Sequence, residues 1–406
     1  MAVGEGTLPT LHPVAGFKLG TTEAGIKTPG RADLVVMEIC EGGTVAGVFT
    51  RNAFCAAPVQ IAKQHLSAVN SRYFIVNTGN ANAGTGEQGL KDSVSTCNAM
   101  AQLMSCESNE ILPFSTGVIG EPLPIGKITA ALPKAVAVLS NDGWSAAAKG
   151  IMTTDTRPKA ASHQFEFLGQ AVTVTGMAKG AGMIKPNMAT MLAYVATNAA
   201  VDTEILNKMV ADAVNASFNR ITIDGDTSTN DACMLVATGQ LEIPVIDSVS
   251  HELFLPLQAC IDKVCIELAQ GLVRDGEGAS KFVSVNVTGG LDEEECLQVA
   301  YTVAESPLVK TALFASDPNW GRLLMAIGRA GIDNLDVNLV NVKIGDVLIA
   351  ENGSRAESYT EEKGETAMAG EEISIGIDLS RGNASVTVWT SDLSHEYVRI
   401  NAEYRT

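Results

Sequence analysis

The sequence predicts a mixed α/β protein of two domains, and three observations carry that expectation. Short apolar runs bounded by glycine or polar residues, such as Tyr73-Phe-Ile-Val76 and Met191-Leu-Ala-Tyr-Val-Ala196, read as buried strands. Between such runs lie segments of helical period, the clearest placing Ile205, Leu206, Met209, Val210, Ala213, Val214 and Phe218 on one face. From Lys281 onward the texture changes to alternating strands, beginning with Phe282-Val-Ser-Val-Asn-Val287, so a smaller α+β domain is expected over 281–406 after a main domain over 1–280. At 406 residues and 42.5 kDa the chain is long enough for two packed cores.

Taken in order, Asp33 to Ile39 and Thr44 to Phe49 flank Glu41-Gly-Gly43 and read as a hairpin. The strand at Tyr73 runs into Asn77-Thr-Gly-Asn-Ala-Asn82 and then a Gly84-x-Gly86-x-x-Gly89 spacing ahead of a helix carrying Leu90, Val94, Cys97, Met100 and Met104. A dinucleotide fingerprint needs its glycines in the turn itself, and here they stand well past the strand, so a loop at the edge of a site is expected instead. Ile111 to Gly120 ends a hydrophobic segment on Thr116-Gly117, and helices are expected near 127–139 and 141–149. Met152-Thr-Thr-Asp155 precedes Arg157-Pro158 and, taken alone, is a capping or turn cluster. Phe165 to Thr175 reads as a hairpin, and Asp202 as the cap of the helix that follows.

Ile221 to Asp226 is a strand entering an acidic turn whose spacing does not complete a calcium loop, so the turn is expected to line the active site. A helix with Leu253, Leu257, Ile261, Val264 and Leu268 on one side ends near Asp275-Gly-Glu277-Gly278, where an isolated glutamate is ordinarily solvated. Asp292-Glu-Glu-Glu295 loads the first turn of another helix with negative charge, which the helix dipole favours. Strands are expected over 337–344, 373–379 and 384–389, and the glutamate-rich run from 357 to 372 as a solvated face.

Composition narrows the function. Twenty-eight lysines and arginines against 46 aspartates and glutamates leave a formal charge of −18, which opposes nonspecific binding to nucleic acid or an anionic membrane. The start has no signal-like pattern and no apolar run is long enough to span a bilayer, so a cytoplasmic location is expected. The eight cysteines are scattered without Cys-x-x-Cys or paired Cys/His spacing and are expected to be free thiols, with no metal and no prosthetic group.

The most informative stretch is Gly176-Met-Ala-Lys-Gly-Ala-Gly-Met-Ile-Lys-Pro-Asn-Met-Ala-Thr190, which places a threonine where a glycine-rich loop enters a strand. A hydroxyl so held can attack the preceding carbonyl and turn a peptide into an ester. Hydrolysis would then free Thr190 as a chain start, whose α-amine, with an ordinary pKa of about 7.7 to 8.0, can act as base for its own hydroxyl. Taken alone the stretch reads as a glycine-rich loop feeding a core strand.

Lys179 to Leu192 resembles the self-cleavage signature of the ornithine acetyltransferases, arginine-biosynthetic enzymes. Further agreement lies in Gly47-Val-Phe-Thr-Arg-Asn52, Asn77 to Asn82, Ser115 to Gly120, Met152 to Asp155, Asp224-Gly-Asp-Thr-Ser-Thr-Asn-Asp231, Asp317-Pro-Asn-Trp-Gly-Arg322 and the last six residues. The resemblance implies a layered αββα-type sandwich with a threonine nucleophile, cut between Ala189 and Thr190 into chains 1–189 and 190–406, two copies of each assembling together. It implies that Thr190 carries the acetyl group from N-acetylornithine to glutamate, that Thr116 and Gly117 form the oxyanion hole, and that Thr153, Lys179, Thr190, Glu277, Asn401 and Thr406 contact substrate. Acetyl-CoA is a possible second donor that no motif decides. Two other readings compete: a self-processing threonine amidase or aminopeptidase that surrenders its acyl ester to water, and a small-molecule binding protein with an uncut chain.

Overall fold

The computed structural model describes residues 2–4, 6–185 and 191–403. In chain order its elements are β1 (Phe17–Thr22), β2 (Leu34–Ile39), β3 (Thr44–Phe49), α1 (Ala57–Ala68), β4 (Tyr73–Asn80), α2 (Gly86–Met104), β5 (Ile111–Val118), α3 (Ile125–Ala137), α4 (Trp144–Gly150), β6 (Lys159–Phe167), β7 (Gln170–Lys179), β8 (Leu192–Thr197) and α5 (Thr203–Ala216). Then follow β9 (Ile221–Thr222), β10 (Ala232–Ala237), α6 (Phe254–Arg274), β11 (Phe282–Gly290), α7 (Glu293–Ala304), α8 (Pro307–Phe314), α9 (Trp320–Gly328), β12 (Asn341–Ile344), β13 (Val347–Glu351), β14 (Ser354–Arg355), α10 (Glu361–Met368), β15 (Glu372–Asp378), β16 (Ala384–Ser391) and α11 (His395–Ala402). They form two compact units, one of Thr7–Asn219 and Asp226–Leu272, the other of Met1–Gly6, Arg220–Gly225 and Val273–Thr406. The sequence division at 280/281 falls just inside the second unit, beyond the turn that follows α6.

The first unit is the expected αββα sandwich. One sheet has the order β1-β2-β4-β5 and the other β3-β10-β8-β7-β6. Between them the apolar side chains of one face of each sheet meet: Met37, Phe74 and Phe114 from the first, Met177, Tyr194 and Met234 from the second. Tyr194 sits between Phe74 and Phe114, ring centroids 6.0 and 5.4 Å away, in the tilted and edge-on arrangements that aromatic quadrupoles favour. The opposite face of the first sheet, with Leu34, Val36 and Ile75, is covered by α1, α2 and α3 through Ile61, Met100 and Ile128. Strand β2 is thus buried on both faces, which explains its unbroken Leu-Val-Val-Met run. Beyond the second sheet lie α5, packed on β3 and β10, and α6, which approaches β7 where Gly176 leaves room for Val264 and Leu268.

One expectation is corrected. Strands β2 and β3 do not pair as a hairpin: β2 lies between β1 and β4, and β3 pairs with β10 in the other sheet. The Glu41-Gly-Gly43 link, with Gly42 at φ +82°, carries the chain across the sandwich, because each sheet must present its own apolar face to the shared core. The β6–β7 hairpin forms as expected, its tight turn made by Leu168 and Gly169 at positive φ. Asp202 caps α5 by accepting from the Glu204 N–H at 2.9 Å.

The second unit is built on one sheet of order β14-β13-β12-β15-β11-β16-β9. Period-two burial is clean: Val283, Val285 and Val287 of β11 and Ile373, Ile375 and Ile377 of β15 enter the core with Cys296, Val299 and Val303 of α7. Asp292 caps α7 by accepting from the Glu295 N–H at 2.8 Å. The strand expected over 337–344 begins only at Asn341; residues 337–339 form a short 3-10 turn capped by Asp336. Lys310 is buried and donates to Thr390 Oγ1 at 2.9 Å and to the Ser391 carbonyl; burial lowers its pKa to about 8 against the pull of Asp392, Asp224 and Glu305. All eight cysteines are free, and burial pushes Cys97 and Cys233 up to about 12, so these two are unreactive thiols.

The Tyr194 hydroxyl is buried with no hydrogen-bond partner among the described residues. Removing only that hydroxyl, in Tyr194→Phe, is therefore expected to leave stability unchanged or raised. Removing the ring, in Tyr194→Ala, is expected to cost about 3–5 kcal/mol. Denaturant unfolding of the two variants beside the parent chain checks both.

Candidate active site

In the first unit the parallel strands β4 and β5 end side by side, with Thr78 opposite Thr116 and Gly79 opposite Gly117. Gly117 has φ +135°, and a Cβ added there would lie 2.3 Å from the Gly79 carbonyl carbon, so only glycine permits this approach. The two residues assigned to the oxyanion hole by resemblance therefore stand at a rigid strand end, Thr116 buried and Gly117 fixed by its neighbour.

Buried amides brace that end. Ser115 Oγ donates to Asn77 Oδ1 at 2.5 Å, and Asn77 Nδ2 donates to the Asn80 carbonyl at 2.9 Å. Asn82 Nδ2 donates to the Gly89 carbonyl and to Ser93 Oγ. A Cβ at Gly89 would meet Thr85 Oγ1 at 1.9 Å, so this glycine of the Gly84-x-Gly86-x-x-Gly89 run serves close packing against the asparagine loop. Asn230 Nδ2 donates to the carbonyls of Ala81, at 2.6 Å, and Ser115, at 2.9 Å, joining the 226–231 loop to both strand ends. Thr78 Oγ1 donates to the Gly150 carbonyl at 2.8 Å, tying β4 to the end of α4, just ahead of Thr153.

The Met152-Thr-Thr-Asp155 cluster does more than turn the chain. Asp155 is buried and collects four donors: Lys159 Nζ at 2.5 Å and Gly180 N–H at 2.7 Å on Oδ1, and Thr153 N–H at 2.8 Å and Thr153 Oγ1 at 3.5 Å on Oδ2. Burial alone would raise its pKa, yet the charges of Lys159 and Lys179 prevail and hold it at about 2. One carboxylate so gathers Thr153, the first residue of β6, and the backbone immediately after Lys179. Lys179, the last residue of β7, stands opposite Leu192 of β8, and its charge also reaches Asp231.

Asp231 precedes β10, whose first residue, Ala232, pairs with Leu192 and donates its N–H to the Met191 carbonyl at 2.9 Å. Burial drives the Asp231 carboxyl well above the ordinary carboxylate range, against smaller opposing effects of Ser228 and Lys179. Thr116, Thr153 and Lys179 thus belong to one connected set within the first unit, linked through Asn230, Asp231 and Asp155. Asn230, Asp231, Asp155 and Lys159 were not among the expected site residues; the acidic and hydroxyl-rich runs that contain them were the visible signal.

The second unit brings together another expected pair. Asn401 Nδ2, on α11, donates to Glu277 Oε2 at 2.7 Å. Glu277 is 9% exposed, and Gly278 at φ +69° lets α11 come so close that an added Cβ would lie 2.5 Å from the Tyr397 nitrogen. Ser394 Oγ donates to the Gly278 carbonyl at 2.7 Å and caps the same helix. Glu277 is thus seated against the C-terminal helix, not solvated. Ala189, Thr190 and Thr406 lie outside the described residues. Among the described residues no group of three or more His, Cys, Asp or Glu is placed to hold a metal, and no helix is long and apolar enough to cross a membrane.

The Asp155 cluster sets an acid limit on stability. Its folded pKa lies below the ordinary 3.8, so its contribution is complete above that value and is lost as pH falls toward about 2. Asp155→Asn is expected to cost about 3–5 kcal/mol at neutral pH by leaving Lys159 buried without its carboxylate. The difference from the parent should shrink as pH falls through that window, read by thermal unfolding across an acid series.

Comparison with known proteins agrees along the whole length. The ArgJ family matches residues 18–406. The arginine biosynthesis bifunctional protein ArgJ of Pseudomonas fluorescens is 61% identical over 407 aligned residues, covering 100% of both chains. That of Psychrobacter arcticus is 52% identical, again over 100% of both. Among solved structures, the arginine biosynthesis bifunctional protein of Bacillus halodurans matches with a TM-score of 0.50 and 34% identity, over 52% of this chain and 97% of that one. A family match across almost the entire chain, with full-length relatives above half identity, places this protein in the ArgJ family.

Proposed function

We propose that this protein cuts itself before Thr190 and then, with the freed Thr190 as nucleophile, moves an acetyl group from N-acetylornithine to glutamate in arginine biosynthesis. The observation that carries this reading is the full-length identity of 61% to an arginine biosynthesis bifunctional protein. The Bacillus halodurans chain supports the cut: 97% of it aligns with 52% of this chain, so it is about half as long, as one processed piece would be.

In the first step Thr190 Oγ adds to the Ala189 carbonyl carbon, the C–N bond breaks, and the backbone nitrogen takes up a proton. Water then hydrolyses the ester, leaving Ala189 with a carboxylate and Thr190 with a free amine. In turnover that amine accepts the hydroxyl proton while Oγ attacks the acetyl carbonyl of N-acetylornithine. Thr116 and Gly117 stabilise the tetrahedral oxyanion at the rigid end of β5. Ornithine leaves with a proton, glutamate enters, and its amine takes the acetyl group from the Thr190 ester.

Lys179, backed by Asp155 through Gly180, pairs with a substrate carboxylate, and Thr153 lies beside it on the same carboxylate. Glu277, oriented by Asn401, binds the amine or moves a proton, and Thr406 completes the substrate contacts. In this reading acetyl-CoA is a second donor to the same threonine. No prosthetic group enters this cycle. Two copies of each piece assembling in the cytoplasm, without nucleic acid or membrane partners, complete the proposal.

Intact-mass analysis is expected to find two species whose boundary is Ala189/Thr190, and Thr190→Ala to leave one species of 42.5 kDa. A parent chain that stays whole on incubation would contradict the cut. Thr116→Ala is expected to lower turnover by about 10² to 10³, followed as acetyl appearing on glutamate; acetyl released as free acetate would instead mark a hydrolase.

A further inference from the structure

The second unit's share of the site is Glu277 with Asn401, and a buried carboxylate stands behind that pair. Asp392, in the link between β16 and α11, is 4% exposed. Its Oδ1 accepts from the N–H groups of Ser280, at 2.8 Å, and Lys281, at 2.9 Å, and its Oδ2 accepts from Ser280 Oγ at 2.5 Å. All three donors belong to the turn that starts at Glu277, so one side chain fixes the far end of that turn. Two residues on, Ser394 Oγ donates to the Gly278 carbonyl at 2.7 Å and accepts from the Tyr397 N–H at 3.3 Å. The same short link therefore grips the turn at Gly278, Ser280 and Lys281 and starts the helix that brings Asn401 to Glu277.

The link is held in turn by Lys310 of α8, 3% exposed. Its Nζ donates to Thr390 Oγ1 at 2.9 Å and to the Ser391 carbonyl, ahead of Asp392, and its own carbonyl accepts from the Leu393 N–H at 3.2 Å, just past it. Asp392 and Asp224 both attract its ammonium, and Asp224 Oδ2 accepts from the Tyr397 hydroxyl of α11 at 3.2 Å. We propose that Asp392 is a positioning residue for acetyl transfer: anchored by Lys310, its carboxylate sets the Glu277 turn against α11, so that Glu277 and Asn401 meet substrate as one preset pair. Many buried carboxylates only brace a link. Here the donors follow directly on the glutamate, and Gly278 leaves no slack, since a Cβ there would lie 2.5 Å from the Tyr397 nitrogen. A group misplaced by about 1 Å can cost on the order of 10²-fold in rate, so a loosened turn is felt in turnover.

This inference rests on the acetyl-transfer reading, in which Glu277 meets substrate, and the test separates the two. The kcat/KM for moving acetyl from N-acetylornithine to glutamate is measured in a cycle of four proteins: parent, Asp392→Ala, Glu277→Gln and the double variant. Asp392→Ala removes all three acceptor contacts and is expected to lower kcat/KM about 10- to 100-fold in the parent background. Where Glu277→Gln has left no carboxylate to position, the same change is expected to cost less than about twofold. Asp392→Asn, which keeps an oxygen for the two N–H groups, is expected to recover most of the loss. If Asp392→Ala does not fold, Ser280→Ala, which removes only the hydroxyl donor, goes through the same cycle, with a loss of about 2- to 10-fold expected in the parent background alone. Equal losses in both backgrounds overturn the proposal, since a plain brace would behave so. A variant that folds and keeps the parental kcat/KM overturns it too. A parent that moves no acetyl group to glutamate overturns the acetyl-transfer reading itself.

Discussion

The Asp155 carboxylate is the interaction on which the arrangement of the first unit's site depends. It keeps its charge in a fully buried position only because Lys159, Lys179 and two backbone N–H groups surround it. Two of those partners are local, Thr153 and Lys159 within four residues, and the rest come from the exit of β7, 25 residues on. A buried charge tolerates little displacement, since each lost donor exposes it to the full cost of desolvation. Thr153 and the backbone after Lys179 are therefore fixed relative to each other before any substrate arrives, the condition for electrostatic stabilisation without reorganisation.

A second constraint is steric. Parallel strands β4 and β5 close on each other through Gly79 and Gly117, and the asparagines from Asn77 to Asn82 satisfy the backbone that this closeness strands. Asn230 then links that corner to the loop that delivers Asp231. The Thr116-Gly117 end of β5, the lysine end of β7 and the entry to β8 become one rigid neighbourhood, built on strand ends rather than on free loops. In the second unit a similar economy holds: Gly278 admits α11, and α11 supplies the amide that orients Glu277.

Much of this was legible in the residues. Helices α5 and α7 announce themselves because Asp202 and Asp292 cap a clear 3.6-residue period, and the β6–β7 turn because Leu168-Gly169 interrupts an alternating run. The chemistry-bearing threonines and glycines were visible as motifs, through resemblance more than through spacing. What stayed hidden depends on long-range partners. Nothing near Gly42 and Gly43 says that β2 and β3 belong to different sheets, since a turn signal is local and the choice of sheet is made by the shared core. Residues Ile221 and Thr222 join the second unit's sheet beside β16 although the chain up to Asn219 and again from Asp226 belongs to the first unit. Asp155 read as a turn residue because two of its partners, Gly180 and Lys179, lie a hairpin away, and Lys159, four residues on, carries no signal of its own that it turns back onto the carboxylate.

The central claim is that one oxygen, Thr190 Oγ, carries the acyl group between two amino acids. It is tested most directly by supplying N-acetylornithine without glutamate, quenching, and mapping the peptide that begins Thr-Met-Leu-Ala-Tyr. The expected result is a mass gain of one acetyl group on Thr190, lost when glutamate is added and recovered on its amine. An active preparation in which that peptide never gains an acetyl group, or never begins at Thr190, would contradict the account.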